Sequence, residues 1–346
     1  MGAHALHDGK GDKDGRDGKG DKGDKDLDVL AAEARAALVH QIEVSGAWAD
    51  DPVWREAFEA VPRHLFVPYY YVGVMGGYER RWGESPDPQA RERWVRGAYA
   101  DAPLATRLRD GELVSSSSQP SLMAMMLAAL EVGDGDRVLE IGAGTGYNAA
   151  LLAHRLGDDD LVTTIDLEPE ITEAARQHLA AAGYRPVVVT GDGARGVPER
   201  APFDRIIATC TLTSIPQAWL AQCNPGARIL TPLATGLIAL TVRDRGYAEG
   251  RFLHTPAYFV RLRGEGRREE SEPARLGGVP QRAREHELFR FLLVLSRGSL
   301  DPQEAYQLWE REGWPLRERY GVTVSGGCEW AWLDDPAGPY VWPLGG

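Results

Sequence analysis

From Leu27 to Val44 the apolar residues recur at helical spacing, with Leu27, Leu30, Ala34, Leu38 and Ile42 on one face. That spacing predicts an amphipathic helix. Asp51-Pro52 opens a second helix, with proline at an early helical position. It ends near the run Val61-Pro62-Arg63-His64-Leu65-Phe66-Val67-Pro68. Residues 69–100 are aromatic and Gly-rich and follow no clear period. Beyond them the pattern becomes regular. Helices are predicted over 120–130, 146–156, 168–182 and 216–222, and buried strands over 137–141, 161–166, 186–190 and 204–209. Strands over 228–232, 238–243 and 258–262 close the series. Alternation of this kind predicts an α/β fold: a doubly wound, mostly parallel sheet covered by helices on both faces, with further helices ahead of it.

The two ends of the chain differ from this middle. Residues 1–28 are almost wholly Gly, Asp and Lys. With nothing apolar to bury, they predict a disordered, solvated tail. Residues 267–275 are charged and without apolar pattern, which suggests a linker. The segment 265–346 carries five of the ten tryptophans and reads as a small C-terminal extension, in which Phe289 to Leu295 fits a helix or a strand equally well.

Composition narrows the chemistry. The net charge of −12 speaks against nucleic acid as the main partner, since phosphates are held by Lys and Arg. Cys210, Cys223 and Cys328 are an odd number without CxxC spacing, so neither a disulfide framework nor a metal site is expected. There is no apolar run of membrane-spanning length and no signal-peptide pattern before Leu27. The expectation is a soluble, cytoplasmic monomer.

The strand ending in Glu140 leads into Gly142-Ala143-Gly144-Thr145-Gly146 and then a helix. Glycines there allow a tight turn and close approach to a ligand. Asp166, with Leu167 beside it, ends the next strand 24 residues after Gly142. A doubly wound fold places a ribose-binding carboxylate at that point. The dinucleotide fingerprint is GxGxxG, set against a pyrophosphate. Here the spacing is GxGxG, and Tyr147 stands where the third glycine is needed. S-adenosylmethionine carries no phosphate, and a strand-end Glu140 suits its cationic amino acid end. Gly191-Asp192-Gly193 follows the next strand, so Asp192 and Gly193 are candidates for the adenine. Each piece alone is a common turn; three in order, each at a strand's C-terminal end, point to a cofactor site.

Over about residues 30–264 the chain resembles the protein-L-isoaspartate O-methyltransferases. The resemblance rests on 60–68, Ala98-Tyr99-Ala100-Asp101-Ala102-Pro103, Ser118-Gln119-Pro120, 138–147, Gly191-Asp192-Gly193, 201–207, 225–230 and 258–262. It implies a class I methyltransferase fold over 29–264, S-adenosylmethionine as cofactor, and Ser118 beside the carboxylate to be methylated. Two departures stand out: Ser115 to Ser118 is a serine run, and the tail from 265 has no counterpart in short repair enzymes. Both features are similar to a subgroup of ribosomal peptide biosynthesis (lanthipeptide, lasso peptide, graspetide) that methylates an aspartate of a macrocyclised precursor peptide, leading to aspartimide and then isoaspartate. The alternatives are repair of L-isoaspartyl proteins and a non-catalytic scaffold that binds precursor peptide through the extension.

A carboxylate is already ionised at neutral pH, so methyl transfer to it needs no general base. Alignment of the reacting atoms does the work. Ser118, with Ser116 and Ser117, is the expected carboxylate holder, and Gln119 and Asp101 are further acceptor-side candidates. The serines also fit an N-cap for the helix at Pro120, and Asp101 fits a turn before Pro103. His40, His64 and His154 read as packing or surface residues, and the C-terminal tryptophans as a small core or a peptide groove.

Overall fold

The computed structural model describes residues 18–48, 52–264 and 276–344, with side chains described from residue 26. Helix α1 (Gly18–Ser45) contains the periodic stretch and buries Ala31, Leu38, Val39 and Ile42. It also runs back through residues 18–28, where the sequence predicts disorder. A helix nucleated by its buried face propagates at little cost per residue, so a polar first stretch can join it. Residues 1–17 of that expected tail lie outside the described residues. Helix α2 (Pro52–Ala60) starts on its proline and buries Trp54, Ala57 and Phe58.

The stretch without a period folds into a small sheet. Strands β1 (Tyr69–Val74) and β2 (Gly77–Trp82) form a hairpin, followed by α3 (Pro88–Ala98), β3 (Leu104–Arg109) and β4 (Glu112–Ser117). Their order is β2-β1-β3-β4. Five of the six β2 residues are exposed, so no alternation marks the strand. Three of the four serines sit inside β4 rather than at a helix cap. Helix α4 (Pro120–Leu130) has Gln119 at its N-cap without a side-chain cap bond. Asp101 supplies the cap instead, its Oδ1 accepting from Ser121 N at 2.8 Å.

The central elements follow in the expected sequence: β5 (Val138–Ile141), α5 (Tyr147–Leu156), β6 (Val162–Asp166), α6 (Pro169–Ala181), β7 (Val187–Thr190), β8 (Phe203–Ala208), α7 (Gln217–Ala221), β9 (Cys223–Leu233), β10 (Gly236–Asp244) and β11 (Tyr247–Pro256). Strands β7-β6-β5-β8-β9 are parallel, and from β9 onward every pairing is antiparallel. The doubly wound half is therefore as expected, and the antiparallel half is larger than the pattern suggests. The run 258–262 is not a strand of the sheet. It makes only a parallel bridge, Arg261 to Thr211, while β11 lies just before it. Strand β11 carries Glu249, Arg251 and His254 and buries chiefly Ala248 and Phe252, which hides its period.

After the charged stretch, which lies outside the described residues, come α8 (Gln281–Glu285), α9 (Glu287–Leu295), α10 (Pro302–Arg311), β12 (Tyr320–Ser325), β13 (Cys328–Leu333) and β14 (Val341–Pro343). Phe289 to Leu295 is thus helical. β12 pairs with β11, so the extension continues the main sheet to ten strands among the described residues. Its apolar residues join the core of that sheet: Phe291 of α9 meets Phe252 of β11 edge-on at 4.9 Å. The two faces of the sheet are read off β5, where Val138 packs with α1, α2, α4 and α5, and Leu139 and Ile141 pack with α7, α9 and α10. No helix among the described residues is long and apolar enough to cross a membrane.

Candidate active site

Strand β5 pairs with β6 on one side and β8 on the other, so the chain's direction of winding reverses there. Ligands of open sheets bind in the crevice outside the strand ends at such a point. A cleft of about 860 Å³, counted with its open mouth, lies there and is lined by the β5 end, Gly142 to Thr145 of the glycine turn, Asp166, Leu167 and Gly193, while Gly146 lies outside its lining. The turn needs its glycines. Gly142 has φ +97°, and a Cβ on it would stand 2.7 Å from Thr209 Oγ1. Gly146 has φ +86° and packs against Leu179 and Ala175 of α6, where a Cβ would come within 3.3 Å. Tyr147, in the position that a dinucleotide fingerprint gives to glycine, is buried against Phe58 and Phe66.

Glu140 is 1% exposed. Its Oε1 accepts from Asn148 Nδ2 at 2.8 Å and its Oε2 from Thr164 Oγ1 at 2.6 Å. Burial pushes its carboxyl up to about 7, against the lowering effect of those two bonds. Asn148 Oδ1, also lining the cleft, is a buried acceptor without a partner. A buried acceptor left open beside a carboxylate fits a cationic amine. Asp166 accepts from Gly144 N at 3.2 Å, and burial raises its carboxyl above the usual range. Arg263 stands over it, Nη2 3.8 Å from Oδ1, and also ion-pairs with Glu168. Burial alone would raise Glu168, but Arg109 and Arg263 outweigh it and hold its carboxyl low.

Ser115, Ser116, Ser117 and Ser118 line the same cleft from the other side. On the far side of β4 lies a second, open groove of about 1740 Å³. It runs between the end of α1 at Ser45 to Ala47, the start of α4, and the segment from His254 to Val260. Ser116 and Ser118 line both cavities. Gln119 lines the groove. Asp101 acts behind it, holding Gln119 Nε2 at 3.2 Å and capping α4. Asp192 caps the turn at 193–195 through Ala194 N at 3.0 Å, and Gly193 rather than Asp192 lines the cleft. His64 bonds Tyr99 and His154 bonds Tyr184, while His40 is exposed on α1. None of the five C-terminal tryptophans lines either cavity; Trp309, Trp332 and Trp342 are buried, and Trp314 stacks on Trp309 at 5.3 Å.

Asn148, Thr164, Thr209, Cys210 and Arg263 are site residues that the sequence reading missed. Asn148 lies just past the glycine turn on the helix that follows, and that position is a signal. The others carry none that is visible along the chain.

Residues 89–259 match the family model "Protein-L-isoaspartate(D-aspartate) O-methyltransferase (PCMT)". A protein-L-isoaspartate O-methyltransferase of Hyperthermus butylicus is 35% identical over 247 residues, covering 67% of this chain and 90% of the relative. One of Methylorubrum extorquens is 37% identical over 239 residues, covering 68% and 91%. The chain belongs to the protein-L-isoaspartate O-methyltransferase family. It is a protein carboxyl O-methyltransferase, and its cofactor is S-adenosylmethionine. A solved protein-L-isoaspartate O-methyltransferase shares its fold, with a TM-score of 0.58 at 24% identity over 84% of this chain and 96% of the other. That span is too long to fit within residues 1–264, so the likeness reaches into the C-terminal extension. A Plasmodium falciparum structure, titled a putative protein-L-isoaspartate O-methyltransferase in complex with S-adenosyl-L-homocysteine, has a TM-score of 0.50 at 14% identity over 66% of this chain and 97% of the other.

Proposed function

We propose that this chain methylates the free carboxylate of L-isoaspartyl residues in proteins, as the names of its relatives state for them. The observation that carries the reading is the meeting of two cavities at Ser116 and Ser118: a cleft at the strand ends and a larger groove beside it, with room for a peptide. In the cleft, Glu140 and Asn148 would hold the amino end of S-adenosylmethionine, Asp166 the ribose, and Gly193 with Leu167 the adenine. The bound cofactor supplies a methyl group made electrophilic by its sulfonium. Ser118, helped by Ser116, orients the acceptor carboxylate with hydroxyl donors, which hold an oxygen without quenching it as a cation would. The ester then collapses when the following backbone nitrogen attacks its carbonyl: a C–N bond forms, the C–O bond breaks, and methanol leaves with the amide proton.

The serine run and the extension suggest maturation of a precursor peptide instead, but the relatives carry the name of the repair activity. Ser115 and Ser117 are buried parts of a strand, and the extension lengthens the sheet. Two synthetic peptides that differ only in carrying L-isoaspartate or aspartate at one position decide between the two. Incubated with S-adenosylmethionine and followed by mass spectrometry, the isoaspartyl peptide is expected to gain one methyl group and then lose methanol. Methylation of the aspartyl peptide alone, or of a macrocyclised precursor alone, would overturn the repair reading.

A further inference from the structure

Arg63 is fully buried, in the 3-10 turn Arg63–Leu65 between α2 and β1. Its Nη1 donates to Ala98 O at 2.8 Å and Ala100 O at 2.9 Å. Its Nη2 reaches Ala102 O at 3.3 Å, Ser117 Oγ at 3.3 Å and Ser118 O at 3.1 Å. Every one of these acceptors is neutral, and Nε has no partner. The guanidinium lies 6.0 Å from the Tyr147 ring centroid, and Asp101 acts on it only through space. Burial pulls its pKa down to about 10, so it stays charged at neutral pH. A buried cation without a carboxylate partner is costly. This one joins two stretches of the chain, the carbonyls at 98–102 and the pair Ser117 and Ser118.

We propose that Arg63 is the positioning residue of the acceptor site, fixing Ser117 and Ser118 and supplying a positive charge, hydrogen-bonded to no carboxylate, that draws the acceptor carboxylate to them. The inference rests on the reading of Ser118 as the acceptor-side residue. Arg can only donate, so Ser117 Oγ must accept from it, and the serine's own hydrogen is left to point elsewhere. Ser117 lines the cofactor cleft and not the groove, so that hydrogen is available to an anion that enters the cleft past Ser116 and Ser118. Ser118 O, held by the same Nη2, fixes the peptide plane at the start of the Ser118-Gln119-Pro120 turn. A purely structural Arg63 would tie 98–102 to 117–118 and leave carboxylate recognition unchanged.

The test measures inhibition by two peptides that differ only in an isoaspartyl carboxylate and its isoasparaginyl amide, in the wild type and in Arg63→Gln and Arg63→Lys. S-adenosylmethionine binding by calorimetry reports folding in each. The wild type should prefer the carboxylate by about tenfold or more, the size expected of hydrogen bonding to a charged group. Arg63→Gln should bring that preference to within about twofold while cofactor affinity is retained. Arg63→Lys keeps the charge and loses the fork, so it should retain most of the preference with a lower kcat. Arg63→Gln that still prefers the carboxylate like the wild type would overturn the proposal. Should Arg63→Gln fail to bind cofactor, loss of the preference in Arg63→Lys would overturn it equally. A wild type that methylates aspartyl rather than isoaspartyl peptides would count against the repair reading alone; the same comparison with Asp and Asn peptides then reads Arg63.

Discussion

The cofactor cleft and the acceptor groove share Ser116 and Ser118, yet they are built in opposite ways. The cleft comes largely from one continuous part of the chain, the strand ends and turns between Glu140 and Cys210. Its ligand-facing groups are backbone positions and carboxylates fixed by neighbours, such as Glu140 between Asn148 and Thr164. The groove is assembled from Ser45 to Ala47, Pro103, the start of α4 and the segment from His254 to Val260, which meet only in the folded chain. On the proposed reading, cofactor recognition is tied to local geometry and peptide recognition to tertiary packing. The two should respond separately to mutation.

The largest separation is expected at Asp166. Asp166→Ala should weaken S-adenosylmethionine binding by about tenfold to a hundredfold, from the loss of hydrogen bonds to an ionised carboxylate. Inhibition by a peptide alone should be almost unchanged. Equal losses in both would show that the two cavities do not act separately.

Glu140 sharpens the comparison through pH. In the proposed site an ionised Glu140 would balance the cofactor's ammonium, and burial raises this group to about 7. Affinity for S-adenosylmethionine should rise with pH through about 7, by at most tenfold per pH unit, and binding should release a proton. The folded carboxyl titrates above the unfolded one, so the folded state keeps its proton longer. The stability this contributes is complete below the unfolded value and is lost as pH rises through about 7. Glu140→Gln should raise the melting temperature of the free protein at pH 8, weaken cofactor binding and remove the pH step. Thermal denaturation and calorimetry from about pH 6 to about pH 8, on either side of the shifted value of about 7, check all three.

The smallest effect belongs to the ion pairs that tie the β3–β4 hairpin to the start of α6. Arg109 reaches Glu168 at 2.8 Å from a side chain that is more than half exposed, and Arg107 pairs with Glu170. Exposed pairs of this kind contribute about 1 kcal/mol or less. Arg109→Ala should leave stability almost unchanged by chemical denaturation. A large loss would mean that the hairpin is held to the cofactor half far more firmly than its packing indicates.

The same contrast explains what was legible. The helices and strands from Pro120 to Leu233 follow the period of their apolar residues, and the glycine turn with Asp166 can be read because its geometry is local. Strand β2 is nearly all exposed, and the serine run has no apolar period, so β2 and β4 leave little trace along the chain. The segment 258–262 alternates like a strand but serves as a groove wall, because β11 already fills the sheet position before it. Residues 18–28 are helical against their composition, since the buried face further along α1 organises them. Arg63 sits in a motif that is visible in the sequence, but its partners at 98–102 and 117–118 are joined to it only by folding.

We propose that Ser118 serves the acceptor and not the cofactor. The most direct test is Ser118→Ala, measured for both ligands at once. Cofactor affinity by calorimetry should stay within about twofold, while kcat/KM for an isoaspartyl peptide should fall about tenfold or more, as expected for loss of a hydrogen bond to a charged group. A parallel fall in both, or an unchanged kcat/KM, would contradict the account.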